Sequence, residues 1–231
     1  APHPSAAKCS YEAAALMARA AEENGAPRGL VSCMRHISLA GSQELMSHKY
    51  IALILATGGT PMVRAAHSTG KPAYGVGPGN VPVYVDRSAD LEKAARYIVA
   101  SKSFDCSTIC ASEQAVVADA PIAARLMQLM QQEGAYFATP EETQRLRTLL
   151  FHADGAMNTA TVGKPAVYLA ALAGIAVPKD TRVLVCRLQK VGRDEPLSRE
   201  KLTTVLGWYE AAGWEAGCER CIELIQFGGR G

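Results

Sequence analysis

The chain has 231 residues, enough for one large domain or two small ones with real cores. Its composition, 48% hydrophobic and 20% charged, is that of an ordinary soluble globular protein. A net charge of +2, with no basic run or basic-aromatic stripe, argues against nucleic acid as a partner.

No apolar run reaches bilayer-spanning length, so no membrane segment is expected. The start, Ala1-Pro2-His3-Pro4, has neither the basic nor the apolar part of a signal peptide. Seven irregularly spaced cysteines read as free thiols of a cytosolic protein, not as a disulfide framework.

Residues 11–24 are Ala-rich and put Leu16, Met17, Ala20 and Ala21 on one helical face. Ser10 is expected to cap that helix, and Gly25, followed by Pro27, to end it. The run 30–34 reads as a short strand and 42–48 as a short helix. The continuous apolar run 51–55 predicts a buried parallel strand, ending in Thr57-Gly58-Gly59. A helix over 61–68 follows, with proline in its first turn.

Short strands are expected at 73–76 and 83–85, around the glycine turn 77–79, which is the best domain boundary. The span 89–103 predicts a helix with Leu91, Ala94, Ala95 and Ile98 as its apolar stripe. A strand at 115–117, helices at 122–133, 140–151 and 165–173, and a strand at 182–186 come next. The segment 202–206 is apolar and short, and 216–225 predicts a final amphipathic helix. Strands that alternate with helices throughout predict an α/β fold with a mostly parallel sheet.

Cys110 lies between a predicted helix and a predicted strand, among small polar residues that leave a thiol accessible. It reads either as a nucleophile, which needs its thiolate, or as a small buried hydrophobe. Thr57-Gly58-Gly59 is either a turn that lets a backbone approach an anionic ligand or a tight strand-to-helix connection. Gly75-Val76-Gly77-Pro78-Gly79-Asn80 reads as a close backbone approach, a hinge, or both. Cys218 and Cys221 form a lone CxxC and the five histidines are scattered, so no metal site is expected. Glu44, Glu113 and Glu195 are either acid-base groups or surface carboxylates.

Taken together these segments resemble the CoA-acylating branch of the aldehyde dehydrogenase superfamily. The string Ser103-Phe104-Asp105 … Ile109-Cys110-Ala111-Ser112-Glu113-Gln114 is similar to the cysteine motif of acetylating acetaldehyde dehydrogenases. The same motif occurs in the aldehyde half of bifunctional aldehyde-alcohol dehydrogenases. Leu55-Ala56-Thr57-Gly58-Gly59 … Met62-Val63, Gly70-Lys71-Pro72-Ala73 … Gly75-Val76-Gly77-Pro78-Gly79-Asn80 and Glu195-Pro196 … Glu200-Lys201-Leu202 also match, in order and spacing.

The resemblance implies an aldehyde dehydrogenase-like α/β fold. A partial Rossmann-type cofactor domain, residues 1–76, would precede an α/β catalytic domain, residues 77–231. Family members also carry a longer N-terminal region and a C-terminal tail, so the chain is expected to be a fragment whose own activity is open. Cys110 is the implied nucleophile. It would form a thiohemiacetal with a short-chain aldehyde, then a thioester after hydride transfer, then release acyl-CoA to coenzyme A, with the reverse direction also open. Implied contacts to NAD or NADP are His3, Pro4, Thr57, Gly58, Gly59, Val76 and Gly77, with Glu195 on the nicotinamide ribose.

Hydrolytic relatives have a water-activating glutamate where this chain has Tyr74-Gly75-Val76, which implies a thiol acceptor. Many relatives have Asn at the position of Cys106; the swap is either tolerated or supplies a resolving thiol for Cys110. The remaining alternatives are a non-catalytic module and a hydrolytic enzyme that makes a free acid. The full-length protein is expected to be a cytoplasmic homo-oligomer, with packaging in a bacterial microcompartment left open. The identity of the aldehyde is left open as well.

Overall fold

A computed structural model describes residues 1–229. They form two compact units that divide between Val76 and Gly77.

In the first unit, helix α1 (Ala7–Glu23) grows out of a 3-10 turn at Pro4–Ala6, so its N-cap is Ala6 and not Ser10. Proline presets the backbone of that turn, and helical geometry is established before Ser10 is reached. The other end stops as expected. Ala26 N–H donates to the Ala21 carbonyl at 3.0 Å, and Gly25 N–H to that of Glu22 at 3.0 Å, with Gly25 at φ 89°. This is a Schellman motif, which needs a residue free to turn left-handed.

The run 30–34 is not a strand. It follows a turn in which Leu30 N–H donates to the Pro27 carbonyl, no strand among the described residues pairs with it, and Leu30 is 65% exposed. Apolar residues alone do not make a strand without a partner ladder. Helix α2 (Leu39–Ser47) is capped by the Ser38 hydroxyl, which accepts from Gly41 N–H at 3.0 Å. Strand β1 (Ile54–Thr57), helix α3 (Thr60–His67) and strand β2 (Ala73–Val76) make one parallel βαβ step, in register from Ile54↔Ala73 to Thr57↔Val76. The strand starts at Ile54, later than the apolar run, because Lys71 Nζ takes the Ile51 carbonyl at 2.9 Å. Ala66 of α3 is fully buried with Ile54 and Ala56 of β1. On the alternate positions of the two strands, Leu55 is 76% and Tyr74 69% exposed.

The second unit is built on five parallel strands in the order β3-β4-β7-β6-β5. They are β3 (Pro82–Val85), β4 (Ala115–Asp119), β5 (Ala135–Phe137), β6 (Val183–Arg187) and β7 (Val205–Ala211). Helices α4 (Leu91–Ser103) and α5 (Ala120–Gln132) share one core with Val116, Ala118, Val185 and Trp208. Helices α6 (Pro140–Leu150), α7 (Ala166–Leu172) and α8 (Trp214–Gly228) share the other with Ala115, Val117, Leu184 and Tyr209. Successive strand residues therefore feed opposite cores, which is why β4 is buried at every position and reads as continuous apolar sequence. Full burial of a leucine such as Leu126 or Leu169 contributes about 2 kcal/mol.

The fold is the expected parallel α/β arrangement. Two strands, β5 and β7, were not expected from the sequence. β5 is three residues long, and β7 begins later than the apolar segment 202–206 because Leu202 turns left-handed at φ 46°.

Helix α8 approaches β3 through Gly217. A Cβ there would lie 2.3 Å from Cε2 of Tyr84. Gly217→Ala is expected to destabilise the chain by about 1–3 kcal/mol through overpacking. Urea unfolding checks this, and an unchanged midpoint would mean that the contact is loose.

Candidate active site

The segment that joins α4 to β4 carries Cys110. It opens with a 3-10 turn, Phe104–Ser107, in which Asp105, Cys106 and Ser107 have φ of 46°, 50° and 63°. Left-handed backbone costs about 1–2 kcal/mol per non-glycine residue, and three in succession need compensation. Thr108 supplies part of it: its hydroxyl donates to the Asp105 carbonyl at 3.0 Å and to the Asp105 carboxylate, and its N–H to the same carbonyl at 3.2 Å. A second turn follows, closed by Ser112 N–H donating to the Ile109 carbonyl at 3.0 Å. Cys110 is the second residue of that turn.

Cys110 is exposed, so it is not a packing residue. The packing thiol of this unit is Cys186 on β6, fully buried and pushed up to about 12 by burial. Cys221 on α8 is half-buried and likewise pushed up to about 11 by burial, while its CxxC partner Cys218 is exposed. No three His, Cys, Asp or Glu side chains converge into a metal-binding group among the described residues.

Behind the Cys110 turn lies a buried polar cluster. Lys102, at the end of α4, and Lys201, in the loop before β7, are both fully buried. Lys102 Nζ donates to Gln114 Oε1 at 3.1 Å, and Lys201 N–H to the same oxygen at 3.2 Å. Lys201 Nζ donates to the carbonyls of Gln114, Leu197 and Arg199 at 3.0, 2.7 and 2.8 Å. Burial pulls both amines below the usual lysine range: Lys201 to about 7, and Lys102 well down because the Lys201 charge adds to its burial. The hydrogen bonds divide the two. Lys201 Nζ meets three carbonyls, which matches the three N–H donors of an ammonium, whereas Lys102 Nζ meets one acceptor. Two nearby polar atoms, Ser107 Oγ and Glu113 Oε2, are buried without a hydrogen-bond partner among the described residues.

Glu195 caps a 3-10 turn, Pro196–Ser198, and is held by a two-point pair with Arg147 of α6. The distances are 2.9 Å from Nε to Oε1 and 2.6 Å from Nη2 to Oε2. Leu197 N–H also donates to Glu195 Oε1, at 3.3 Å. Arg147 lines two clefts of about 760 Å³ each, and Glu195 lines one of them. Glu195 and the Cys110 turn are joined through Leu197, Lys201, Gln114 and Ser112 by successive hydrogen bonds.

In the first unit, Thr57 pairs with Val76, and Gly58 N–H donates to the Val76 carbonyl at 3.0 Å. Thr57, Gly58, Gly59 and Val76 therefore meet at the carboxyl end of β1 and β2, with Gly59 as N-cap of α3. That is the edge at which parallel α/β units take ligands, with a helix N-terminus facing it. Gly77 opens the second unit, and a Cβ there would meet nothing within 4 Å. His3 is exposed, its Nδ1 accepting from Ser5 N–H at 3.2 Å. No hydrogen bond joins His3 or Pro4 to the glycine turn among the described residues. Glu44 is exposed on α2.

Lys102, Gln114, Arg147 and Lys201 were not singled out in the sequence. Gln114 and Lys201 stood in the matching strings without a role of their own, and Lys102 continues the buried stripe Ala95, Ile98 and Val99 of α4, where a lysine needs a reason.

Residues 5–141 match the model of the aldehyde dehydrogenase family. The chain belongs to the aldehyde dehydrogenase family. It is 39% identical to aldehyde-alcohol dehydrogenase 2 of Entamoeba histolytica over 99% of this chain and 27% of that protein. Among solved structures, it superposes with a TM-score of 0.95 and 47% identity on an acetylating aldehyde dehydrogenase from Geobacillus thermoglucosidasius. That match covers 99% of this chain and 50% of the other. A Rhodopseudomonas palustris propionaldehyde dehydrogenase with bound propionyl-CoA gives a TM-score of 0.90 at 33% identity, over 97% and 50% of the two chains. This aldehyde dehydrogenase chain thus has the α/β fold of acylating members and spans from about a quarter to half of the length of these relatives.

Cys106 sits at φ 50°, ψ 31°, a left-handed position that asparagine adopts more readily than cysteine. Cys106→Asn is expected to stabilise the chain by about 0.5 kcal/mol by relieving that strain. Denaturant midpoints of the two proteins check it; a lower midpoint for the variant would show that Cys106 makes a compensating contact.

Proposed function

We propose that this chain is the cysteine-bearing portion of a CoA-acylating aldehyde dehydrogenase. The reaction converts a short-chain aldehyde, NAD or NADP and coenzyme A to acyl-CoA and reduced cofactor, reversibly. The observation that carries the reading is an exposed Cys110 on a closed turn, anchored from behind by buried hydrogen bonds.

The Cys110 thiolate adds to the aldehyde carbon, and the carbonyl pair moves to oxygen, to which this reading assigns the Cys110 N–H as a donor. A nicotinamide dinucleotide, when bound, supplies the hydride acceptor. Cys110 then holds the acyl group as a thioester. The thiolate of coenzyme A adds to that carbonyl, and the Cys110 sulfur leaves as thiolate. No carboxylate is supplied by Tyr74, Gly75 or Val76 to activate water, so a thiol is the acceptor of this reading.

The residues fit the dinucleotide. The Thr57-Gly58-Gly59 turn and the α3 N-terminus present backbone to a pyrophosphate, and Val76 and Gly77 border them. Arg147 orients Glu195, the residue assigned to the ribose hydroxyls. His3 and Pro4 belong to this reading as outer contacts. The full-length protein is read as a cytoplasmic homo-oligomer. No helix of the described residues is long and apolar enough to cross a membrane.

The coverage of its relatives supports a second reading, a folded piece that does not turn over. Acetyl-CoA separates the two without any nicotinamide. Intact-mass spectrometry is expected to show one acetyl group on Cys110, one coenzyme A released, and no adduct on Cys110→Ala. An unlabelled wild-type chain would favour the second reading, and a labelled Cys110→Ala would remove Cys110 from its role.

A further inference from the structure

The turn that carries Cys110 is closed by one backbone hydrogen bond, from Ser112 N–H to the Ile109 carbonyl. What holds its far end is Gln114, which is 1% exposed. Gln114 Nε2 donates to the Ser112 carbonyl at 3.3 Å. Its own oxygen accepts from Lys201 N–H and Lys102 Nζ, which fixes which end of the amide faces the turn, because two donors cannot face an NH2 group. Its backbone is fixed as well: its N–H donates to Val81 at 2.8 Å, and its carbonyl accepts from Gly207 N–H and Lys201 Nζ, each at 3.0 Å.

We propose that Gln114 is a positioning residue for the nucleophile: its amide N–H anchors the carbonyl that ends the Cys110 turn, while Lys102 and Lys201 hold its oxygen. This rests on Cys110 being the nucleophile. The side chain needs this bracing because the preceding turn is strained at Asp105, Cys106 and Ser107 and tends to relax. The groups around the brace are Glu113 beside Lys102, Glu195 and Cys186 beside Lys201, and Glu200 beside both. Through Lys201 the brace continues to Leu197, whose N–H donates to Glu195. The nucleophile and the carboxylate assigned to the ribose are thus set by one side chain, and a loose amide would shift one relative to the other.

The test variant is Gln114→Glu. A carboxylate still accepts from both lysines, so the core contacts remain, but it presents no donor to the Ser112 carbonyl. Gln114→Asn is the second variant, since it keeps the amide and withdraws it by one methylene. The first readout is hydrogen exchange at the Ser112 amide, expected to rise about tenfold in both variants, while Val116 and Val117 of β4 stay as in wild type. The second is the rate of Cys110 acetylation by acetyl-CoA. Its maximum is expected to fall about tenfold with the half-saturating concentration unchanged, the signature of misplacement rather than lost binding. Wild-type exchange at Ser112 in whichever variant folds would overturn the proposal. So would faster exchange with an unaltered maximal acetylation rate. A wild-type chain that is never acetylated tells against the Cys110 reading instead, and the exchange at Ser112 then decides the brace alone.

Discussion

Two lysine side chains are buried along their whole length, and both end on Gln114. Taking an ammonium out of water is costly, and burial is tolerated only where hydrogen bonds replace the lost solvent. Lys201 has that replacement in three backbone carbonyls, and Lys102, held by one side-chain oxygen, has its amine pulled well below the usual lysine range by burial. The arrangement leaves little freedom. The carbonyls of Leu197 and Arg199 must face inward, so the loop before β7 is drawn against the start of β4. The strand order β4-β7 brings these two segments side by side, and the lysine then ties them at their beginnings. The position of Cys110, four residues before Gln114, follows from that knot.

Much of the fold was legible because local and tertiary signals agree. The helix α4 stripe, the proline in the first turn of α3 and the glycine end of α1 need only short windows to be seen. The failures share a cause. The run 30–34 has strand composition and no partner, and β1 loses its first residues to Lys71, which lies twenty positions away. Pairing decides strands, and pairing is not written locally. The chemistry divides in the same way. Cys110 and the glycine turn stand in recognisable strings. Glu195, Gln114 and Lys201 stand in such strings too, but Arg147 and Glu195 are 48 positions apart and Gln114 and Lys201 are 87 apart, so no local spacing shows that they meet.

The three left-handed residues before Cys110 show strain placed beside a reactive group. Phe104 is 64% exposed and Asp105 is exposed, so packing does not hold this turn from outside. It is held by the Thr108 bonds and by the buried Ser107 at its end. Cysteine at position 106 makes that turn more costly than asparagine would, and the loop accepts the cost because both of its ends are anchored in regular structure.

The uncovered side of the β1–β2 pair has a practical meaning. Leu55 and Tyr74 face outward from a ribbon only two strands wide, and Val76 beside them is 45% exposed. Parallel ribbons with a wet apolar side are poor colloids, and salts such as ammonium sulfate sharpen the attraction between such sides. Salting out would favour contacts through this patch, so low ionic strength and dilute handling suit the chain better than precipitation.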